Sequence, residues 1–240
     1  MVIKVKKNQG FTLIELMIST SLLMLIMFSG YYAYGLYTNN WQKRTDIFWQ
    51  QTQSALAFDS INRLIESTRP YIIKADNNLP AIYFQASKEK VLFVSHSGIF
   101  TDRLAIVELK VESKNNESSI IYRESSLEGY LLLEQSDIIE WQHEVILLDN
   151  INTASFSYFG WQNLDELLSN NELDDKGSSG NTDDEIKPIW YTNHQLEKYR
   201  ILPNKVNLYI KHHNNTETNL ELMLPENSHR ALIKYLREDI

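Results

Sequence analysis

The sequence predicts an α+β fold in which one long N-terminal helix is followed by an antiparallel β-sheet. No proline occurs between Met1 and Arg69, and a long apolar stretch lies near the start of this segment. After Pro70 the sequence changes to short runs of β-branched and aromatic residues, which polar turns separate at a spacing of about ten residues. Strand and helix patterns do not alternate, so a parallel βαβ sheet is not expected.

The apolar stretch is long enough to cross a membrane as a helix. Glu15 is the only charged residue from Phe11 to Tyr37, and a span takes about 20 helical residues. We therefore expect residues 11–32 to form a transmembrane helix. Aromatic residues, which favour the membrane–water boundary, follow at Tyr31, Tyr32, Tyr34, Tyr37 and Trp41.

Basic residues stand before the apolar stretch, at Lys4, Lys6 and Lys7. Positively charged flanks tend to stay on the cytoplasmic side. The rest of the chain then lies across the membrane, which is the periplasm in a Gram-negative cell. The sequence thus predicts a single-pass inner-membrane protein with a cytoplasmic N-terminus.

Three kinds of N-terminal segment fit a basic start followed by an apolar stretch. A secretory signal has a small-residue cleavage site after the apolar part, and no such site follows here. A plain signal anchor leaves Glu15 without a role. A prepilin leader is cut ahead of the apolar part, where Gly10 stands.

The segment from Lys6 to Glu15, KKNQG followed by FTLIE, resembles the leader signature of type IV pilin-like proteins. This family includes major and minor pilins and the pseudopilins of type II secretion. The resemblance implies that prepilin peptidase cleaves between Gly10 and Phe11 and that the new amino group of Phe11 is methylated. It also implies a ladle-shaped fold: a leader at 1–10, a long helix at 11–68 and a β-rich head at 69–240.

Glu15 has a physical role under this interpretation. A carboxylate in the bilayer costs about 2.5–3.5 kcal/mol on insertion scales, and a nearby cation offsets part of that cost. Cleavage would create such a cation at Phe11. We expect the Phe11 amine of an adjacent subunit to pair with Glu15 and to set the axial register between helices; the alternative is that Glu15 reaches the headgroups.

The helix is predicted to continue to about Thr68, because the residue before Pro70 avoids helical angles. In its second half, Ile47, Phe58, Ile61 and Ile65 share one face, with Ala57 and Leu64 beside it. Such an apolar face packs on a domain core.

Strands are predicted at nine runs of the head: 81–86, 90–95, 103–112, 119–124, 130–134, 138–148, 154–159, 205–213 and 218–224. A short C-terminal helix is predicted over 228–240, with Ser228 as its cap and Leu232, Ile233 and Leu236 as its apolar face.

A second, looser similarity concerns the order of features in 147–161, 189–190 and 202–210. A hydrophobic pair, a strand ending in Phe-x-Tyr, a tryptophan-bearing loop and Leu-Pro-x-x-Val follow one another, as in J-type minor pseudopilins of type II secretion. Related minor pilins of type IV pili share this order, so both machines stay open. The chain lacks the C-terminal disulfide of typical major pilins, which favours a minor component.

The segment 163–187 is acidic and is predicted to be a loop. Carboxylate oxygens at Asp174, Asp175, Asp183 and Asp184 could hold calcium. Their spacing does not match an EF-hand, where acidic residues alternate before a central glycine. A solvated insertion is the simpler interpretation.

Composition argues against an enzyme. The chain has no cysteine, which excludes thiol nucleophiles and thiolate metal sites. No H-E-x-x-H, P-loop or G-x-S-x-G motif surrounds its histidines or serines. The net charge of −8 argues against unaided binding of nucleic acid. We predict no enzymatic activity and no cofactor.

The sequence thus predicts a minor pilin or pseudopilin that enters a filament through its N-terminal helix. Its expected partners are prepilin peptidase, other minor and major subunits, and the inner-membrane assembly platform. The head would lie at the filament tip and help to initiate assembly. The alternative is a membrane-tethered periplasmic module whose head binds a ligand or surface.

Overall fold

The computed structural model describes residues 12–114, 117–129, 131–175 and 187–238. A 54-residue helix, α1 (Leu13–Glu66), comes first and antiparallel sheets follow, so the predicted α+β layout is confirmed. Contacts divide the chain into two units between Thr52 and Gln53. The first unit holds the N-terminal part of α1, and the second holds the rest of α1 with the sheets, which we call the head.

Helix α1 ends close to the predicted position. The N–H of Ser67 still bonds to the carbonyl of Arg63, at 3.0 Å, and the N–H of Arg69 bonds to the carbonyl of Val94, at 2.8 Å. The Ser95 hydroxyl donates to the carbonyl of Leu64 at 3.0 Å. A strand therefore supplies partners to the last helical turn, whose carbonyls have no helical donor.

In the described residues, eleven strands form three antiparallel sheets. They are β1 (Ile72–Lys74), β2 (Pro80–Ile82), β3 (Phe84–Ala86), β4 (Lys90–Ser95), β5 (Ala105–Lys114), β6 (Glu117–Ser126), β7 (His143–Ile151), β8 (Thr153–Gly160), β9 (Ile189–Tyr191), β10 (Lys205–Lys211) and β11 (Glu217–Met223). The strand orders are β1-β2, β3-β4-β5-β6-β7 and β11-β10-β8-β9. Three short helices complete the head: α2 (Leu164–Asp175), α3 (Leu196–Tyr199) and α4 (His229–Glu238).

The C-terminal part of α1 packs into the main core of the head. Ala57, Ile61, Leu64 and Ile65 are buried, and Phe58 packs beside them. Burying an Ile or Leu side chain contributes about 1.5–3 kcal/mol relative to exposure. Ile47 was predicted to belong to this face, and this prediction is wrong: Ile47 precedes the packed segment and is 53% exposed.

Residues 131–134 of the run predicted as a strand at 130–134 do not form one, and residue 130 lies outside the described residues. Residues 131–142, called the strap here, lie against β1: the N–H of Lys74 bonds to the carbonyl of Leu133, at 2.8 Å. The only ladder contact here is one isolated bridge between Lys74 and Glu134. The chain then turns, because the Asp137 carboxylate accepts hydrogen bonds from the N–H groups of Leu133 and Glu134. The predicted strand from 138 therefore begins only at His143.

The strap closes a second apolar cluster. Leu132 is buried there, and Ile139 and Trp141 pack against the same cluster. These residues lie on one side of the five-stranded sheet together with buried side chains of other strands: Ile73, Tyr83, Leu92, Val94 and Ile106. Apolar residues at 131–141 thus cover a sheet instead of extending it.

Helix α2 occupies the first half of the segment that the sequence predicts as a loop. Asn163 caps this helix, because its Oδ1 accepts the Glu166 N–H at 2.8 Å. The Glu166 carboxylate accepts the Gln162 N–H at 3.2 Å in return. An Asn followed three residues later by a Glu is a sequence signal for the start of a helix, and the prediction of a loop over the whole of 163–187 overlooked it.

The C-terminal helix is confirmed as α4. Leu232 is fully buried, and Ile233 and Leu236 pack against the main core. The carbonyl of Ser228 accepts the N–H of Ala231 at 3.1 Å, which places Ser228 at the start of the helix.

Candidate assembly interface

Helix α1 is the one helix of the described ranges that is long and apolar enough to cross a membrane. Its apolar side chains up to Phe28 are more than half exposed, and Leu13, Ile14 and Phe28 are among the most exposed of them. An all-round apolar helix surface requires lipid or other helices around it. This helix fits a single-pass membrane anchor.

Two hydroxyl groups within this segment have partners inside the helix. The Thr20 hydroxyl donates to the carbonyl of Met17 at 3.0 Å, and the Ser21 hydroxyl donates to the carbonyl of Ile18 at 2.9 Å. Polar groups without a partner are costly in hydrocarbon. These two residues therefore do not disqualify the segment as a membrane span.

Glu15 and Thr12 cap the first turn of α1. The backbone N–H and the hydroxyl of Thr12 both donate to Glu15 Oε2, each at 3.0 Å. The Glu15 N–H lies 3.4 Å from Thr12 Oγ1, which accepts it. This is a capping box, T-x-x-E, which satisfies N–H groups that the helix leaves unpaired.

Sequence reasoning assigned Glu15 to a contact between subunits and missed its bond to Thr12. The signal was present, because Thr12 and Glu15 have the spacing of a capping box. Gly10 and Phe11, the predicted cleavage and methylation positions, lie outside the described residues. The expected pairing of Glu15 with a Phe11 amine stays a prediction.

Aromatic side chains follow the apolar segment on α1. The rings of Tyr37 and Trp41 stack with centroids 6.3 Å apart, and those of Phe48 and Trp49 meet edge to face at 5.9 Å. All four side chains are more than half exposed. Large aromatic anchors of this kind are enriched in protein interfaces and at the surface of a bilayer.

His194 is the one buried histidine; all the histidines of the chain lie in the described ranges. Its ring stacks on Tyr199, at 4.4 Å between centroids, and meets the edge of Phe84 at 5.0 Å. The Tyr191 hydroxyl lies 3.0 Å from Nδ1. Burial lowers the pKa of His194 to about 3, so the ring is neutral. This histidine joins α3 and β9 to the core and is closed to solvent.

Two of the other histidines have partners in the head. His143 stacks on Phe100 at 4.8 Å, and His212 Nε2 lies 3.1 Å from the Thr218 hydroxyl. No group of three histidine, aspartate or glutamate side chains with metal-binding geometry occurs in the part of the chain that the structure describes. Two of the calcium candidates, Asp174 and Asp175, are the last residues of helix α2, and the structure does not describe their side chains. The other two, Asp183 and Asp184, lie outside the described residues.

Glu124 is a buried carboxylate that the sequence did not point to. It accepts the N–H groups of Ile99, at 2.8 Å, and Phe100, at 3.1 Å, and the hydroxyl of Tyr122 also donates to it. Burial, followed by the bond to Glu124, raises the pKa of Tyr122. Glu124 thus fixes the loop between β4 and β5. In the sequence, Glu124 cannot be distinguished from an ordinary polar residue of a strand.

Two of the cavities in the described part of the head have contrasting linings. A polar one of about 340 Å³ is lined by Gln85, Lys90, Gln135, Asn193 and Glu197, among others. A more apolar one of about 480 Å³ lies between α2, α4 and the ends of β10 and β11, with Leu167, Leu202 and Met223 in its wall. The lining of the polar cavity includes Ser87 and His194, whose Nδ1 lies 3.0 Å from the Tyr191 hydroxyl, and the lining of the more apolar one includes Ser228 and His229.

One family model matches the chain, and its description is prokaryotic N-terminal methylation motif. The match covers residues 5–31, which include the predicted leader junction and the start of α1. No curated protein matches the chain. The motif supports a pilin or pseudopilin subunit of the type IV pilin-like kind, which prepilin peptidase processes and which assembles with other pilins. The family of this motif is structural and not enzymatic.

Proposed function

We propose that the chain is a minor pilin or pseudopilin of the J-like kind, inserted in the inner membrane until it enters a type II secretion pseudopilus or a type IV pilus. The observation that carries this proposal is the sequence GFTLIE at the start of an apolar helix, within the matched motif. The head, which is periplasmic under this proposal, would contact other minor subunits at the filament tip and help to initiate assembly.

The first turn of α1 supports a role of Glu15 in assembly. Its carboxylate already has two donors from Thr12, so it can lie in apolar surroundings at a reduced cost before any partner arrives. These donors are neutral and leave a net negative charge at the helix start. A methylated Phe11 amine from a neighbouring subunit would neutralise that charge. The register between helices would follow from this pairing.

Orientation follows from the charges that flank the helix. Lys4, Lys6 and Lys7 precede the apolar segment, while the first charges after it are Lys43 and Arg44. The nearer and denser basic group stays cytoplasmic. The head would then be exported, and cleavage after Gly10 would occur on the cytoplasmic side.

The mature N-terminus tests the proposal. The full chain is produced with and without a prepilin peptidase, and its N-terminal peptide is identified by mass spectrometry. We expect a chain that starts at a methylated Phe11 only when the peptidase is present. Gly10→Asp serves as the control, since it should retain the leader. A chain that keeps residues 1–10 and still enters filaments would contradict the proposal.

A further inference from the structure

Among the described sheet edges, β11 is the longest one that is both regular and open. The edge strands β3 and β9 have three residues each, and Ala86 of β3 is bridged to His194. Edge strand β7 pairs with β6 through register shifts, and its Asn150 has a left-handed φ of 52°. Strand β11, in contrast, pairs with β10 over seven residues in unbroken register.

The hydrogen-bond pattern identifies the free backbone groups of β11. The N–H of His212 bonds to the carbonyl of Thr216 at 2.9 Å, and the N–H of Leu224 bonds to the carbonyl of Asn204 at 3.1 Å. Residues of an antiparallel pair alternate between bonded and non-bonded positions. Even-numbered residues of β11 therefore bond to β10, and the odd-numbered ones turn their N–H and carbonyl groups to the open side: Glu217, Asn219, Glu221 and Met223.

Nothing in the described ranges covers this side of the strand. The four odd-numbered residues are exposed, and Met223 is 55% exposed. Long, regular edges are templates for another strand unless proline, a bulge or charged side chains, lysine above all, protect them. Strand β11 contains no proline, lysine or bulge, and its charged side chains are the carboxylates of Glu217 and Glu221, which would repel an acidic strand but not a basic one.

The side chains define which strand would fit. Leu220 and Leu222 face the core, and Leu222 is buried while Leu220 is partly open. The opposite face carries two carboxylates: Glu221 bonds to Lys205 at 3.3 Å, and Glu217 accepts a hydrogen bond from the Tyr209 hydroxyl. An added strand would need apolar side chains beside Leu220 and basic side chains beside Glu217 and Glu221.

The charge also argues against a second copy as the added strand. The chain has a net charge of −8, and the open edge of β11 itself carries two glutamates. Like charges placed together across an interface disfavour association. A basic segment of a different protein satisfies the same edge without this repulsion.

We propose that β11 is a strand-addition site, at which an extended basic segment from the head of a different filament subunit pairs with the backbone of Glu217, Asn219 and Glu221. This inference rests on the proposed function, since it requires that the chain enters a filament. Main-chain pairing supplies the affinity in such a complex, and the alternating side chains supply the specificity.

Asn219→Pro and Asn219→Ala form a matched pair of tests in the full chain. Both remove the amide side chain, and only proline removes the N–H that faces the open side. We expect the amount of the chain in purified filaments to fall at least about tenfold for Asn219→Pro and to stay within about twofold for Asn219→Ala. Equal incorporation of the two variants would overturn the proposal.

Hydrogen exchange provides a measurement that needs no substitution. In the detergent-solubilised chain, the amides of Asn219 and Glu221 should exchange rapidly while those of Leu220 and Leu222 are protected. In purified filaments the two exposed amides should exchange about 100-fold more slowly. Unchanged exchange at both would refute strand addition even if Asn219→Pro failed to fold.

A single thiol distinguishes the two possible occupants. The chain has no cysteine, so Asn219→Cys introduces a unique cross-linking position. A cross-link to a different filament subunit, through a basic segment, agrees with the proposal; a disulfide-linked dimer of this chain would overturn it.

N-terminal processing is measured on the same variants. If Phe11 is not exposed as the new N-terminus, the proposed function fails. If the chains are processed and Asn219→Pro enters filaments as well as the unmodified chain, only strand addition is rejected.

Discussion

Thr12 and Glu15 bond to each other across the first turn of α1, so the acidic side chain has a partner within its own chain. This contact separates two roles of Glu15 that the sequence alone combines. One is capping, which Thr12 shares. The other is negative charge, which Thr12 does not supply. Variants at the two positions can therefore test the roles independently.

Glu15→Gln should strongly reduce entry into filaments. The amide can still accept a bond from Thr12, but it presents no negative charge to a neighbouring amine. We expect incorporation to fall at least about tenfold, which corresponds to about 1.4 kcal/mol or more. The measurement is the ratio of filament-bound to membrane-bound chain on an immunoblot.

Thr12→Ala is the matched control for the capping role. It removes the hydroxyl and costs about 0.5–2 kcal/mol of local helix stability, while the carboxylate is retained. Incorporation should decrease less than for Glu15→Gln. If Thr12→Ala were as harmful as Glu15→Gln, the capping box, and not the charge, would be the essential feature.

Sequence patterns predicted the regular elements well because their apolar periodicity reflects their own burial. Strand β4 and the buried face at Ala57, Ile61 and Ile65 follow from this. The strap was predicted to be a strand because the apolar residues near Leu132 have strand-like composition. The bonds that Asp137 accepts from two backbone N–H groups turn the chain there, and the sequence pattern did not reveal this turn.

Of the candidate sites, the sequence predicted the residue types at the helix start but not their contacts. Glu124 was missed altogether, since its burial depends on Ile99 and Phe100 from a distant loop. Long-range contacts of this kind leave no local pattern. The open edge of β11 depends likewise on the order of strands in the sheet, which periodicity does not specify.

Ile61→Ala should destabilise the head substantially. Ile61 is fully buried in the main core, and truncating such a side chain costs about 2–5 kcal/mol. Chemical denaturation of the detergent-solubilised chain, followed by tryptophan fluorescence, measures the change in the free energy of unfolding.

Ile47→Ala is the control for this core variant. Ile47 is 53% exposed and precedes the packed segment of α1. Its substitution should change the unfolding free energy of the head by less than about 0.5 kcal/mol. A loss equal to that of Ile61→Ala would mean that the head core extends further along the helix.

His194 should make the head less stable in acid. Burial lowers the pKa of its ring from 6.5 to about 3, so the unfolded state binds the proton more readily between these values. Stability is therefore lost as the pH falls below about 6.5, by about 2 kcal/mol at pH 5. Urea denaturation at pH 7.5 and at pH 5 measures this loss.

His194→Phe should reduce that pH dependence. A phenyl ring keeps the stacking against Tyr199 and Phe84 but cannot take up a proton. The variant loses the bond from Tyr191 and should be less stable at pH 7.5, yet its loss on going to pH 5 should be about 2 kcal/mol smaller. His213→Gln, at an exposed position, is the control and should retain the pH dependence of the unmodified chain.

Gly98→Ala should disrupt the loop that Glu124 fixes. A methyl group at Gly98 would lie 2.7 Å from Glu124 Oε2 and 2.8 Å from the carbonyl of Thr101. The loop must then move away from the carboxylate, which weakens its bonds to Ile99 and Phe100. We expect a loss of about 1–3 kcal/mol in unfolding free energy. Amide exchange at Ile99 and Phe100 should accelerate in parallel, because these two N–H groups would lose their acceptor; if their exchange stayed unchanged while stability fell, the loss would have to come from the contact with Thr101 alone.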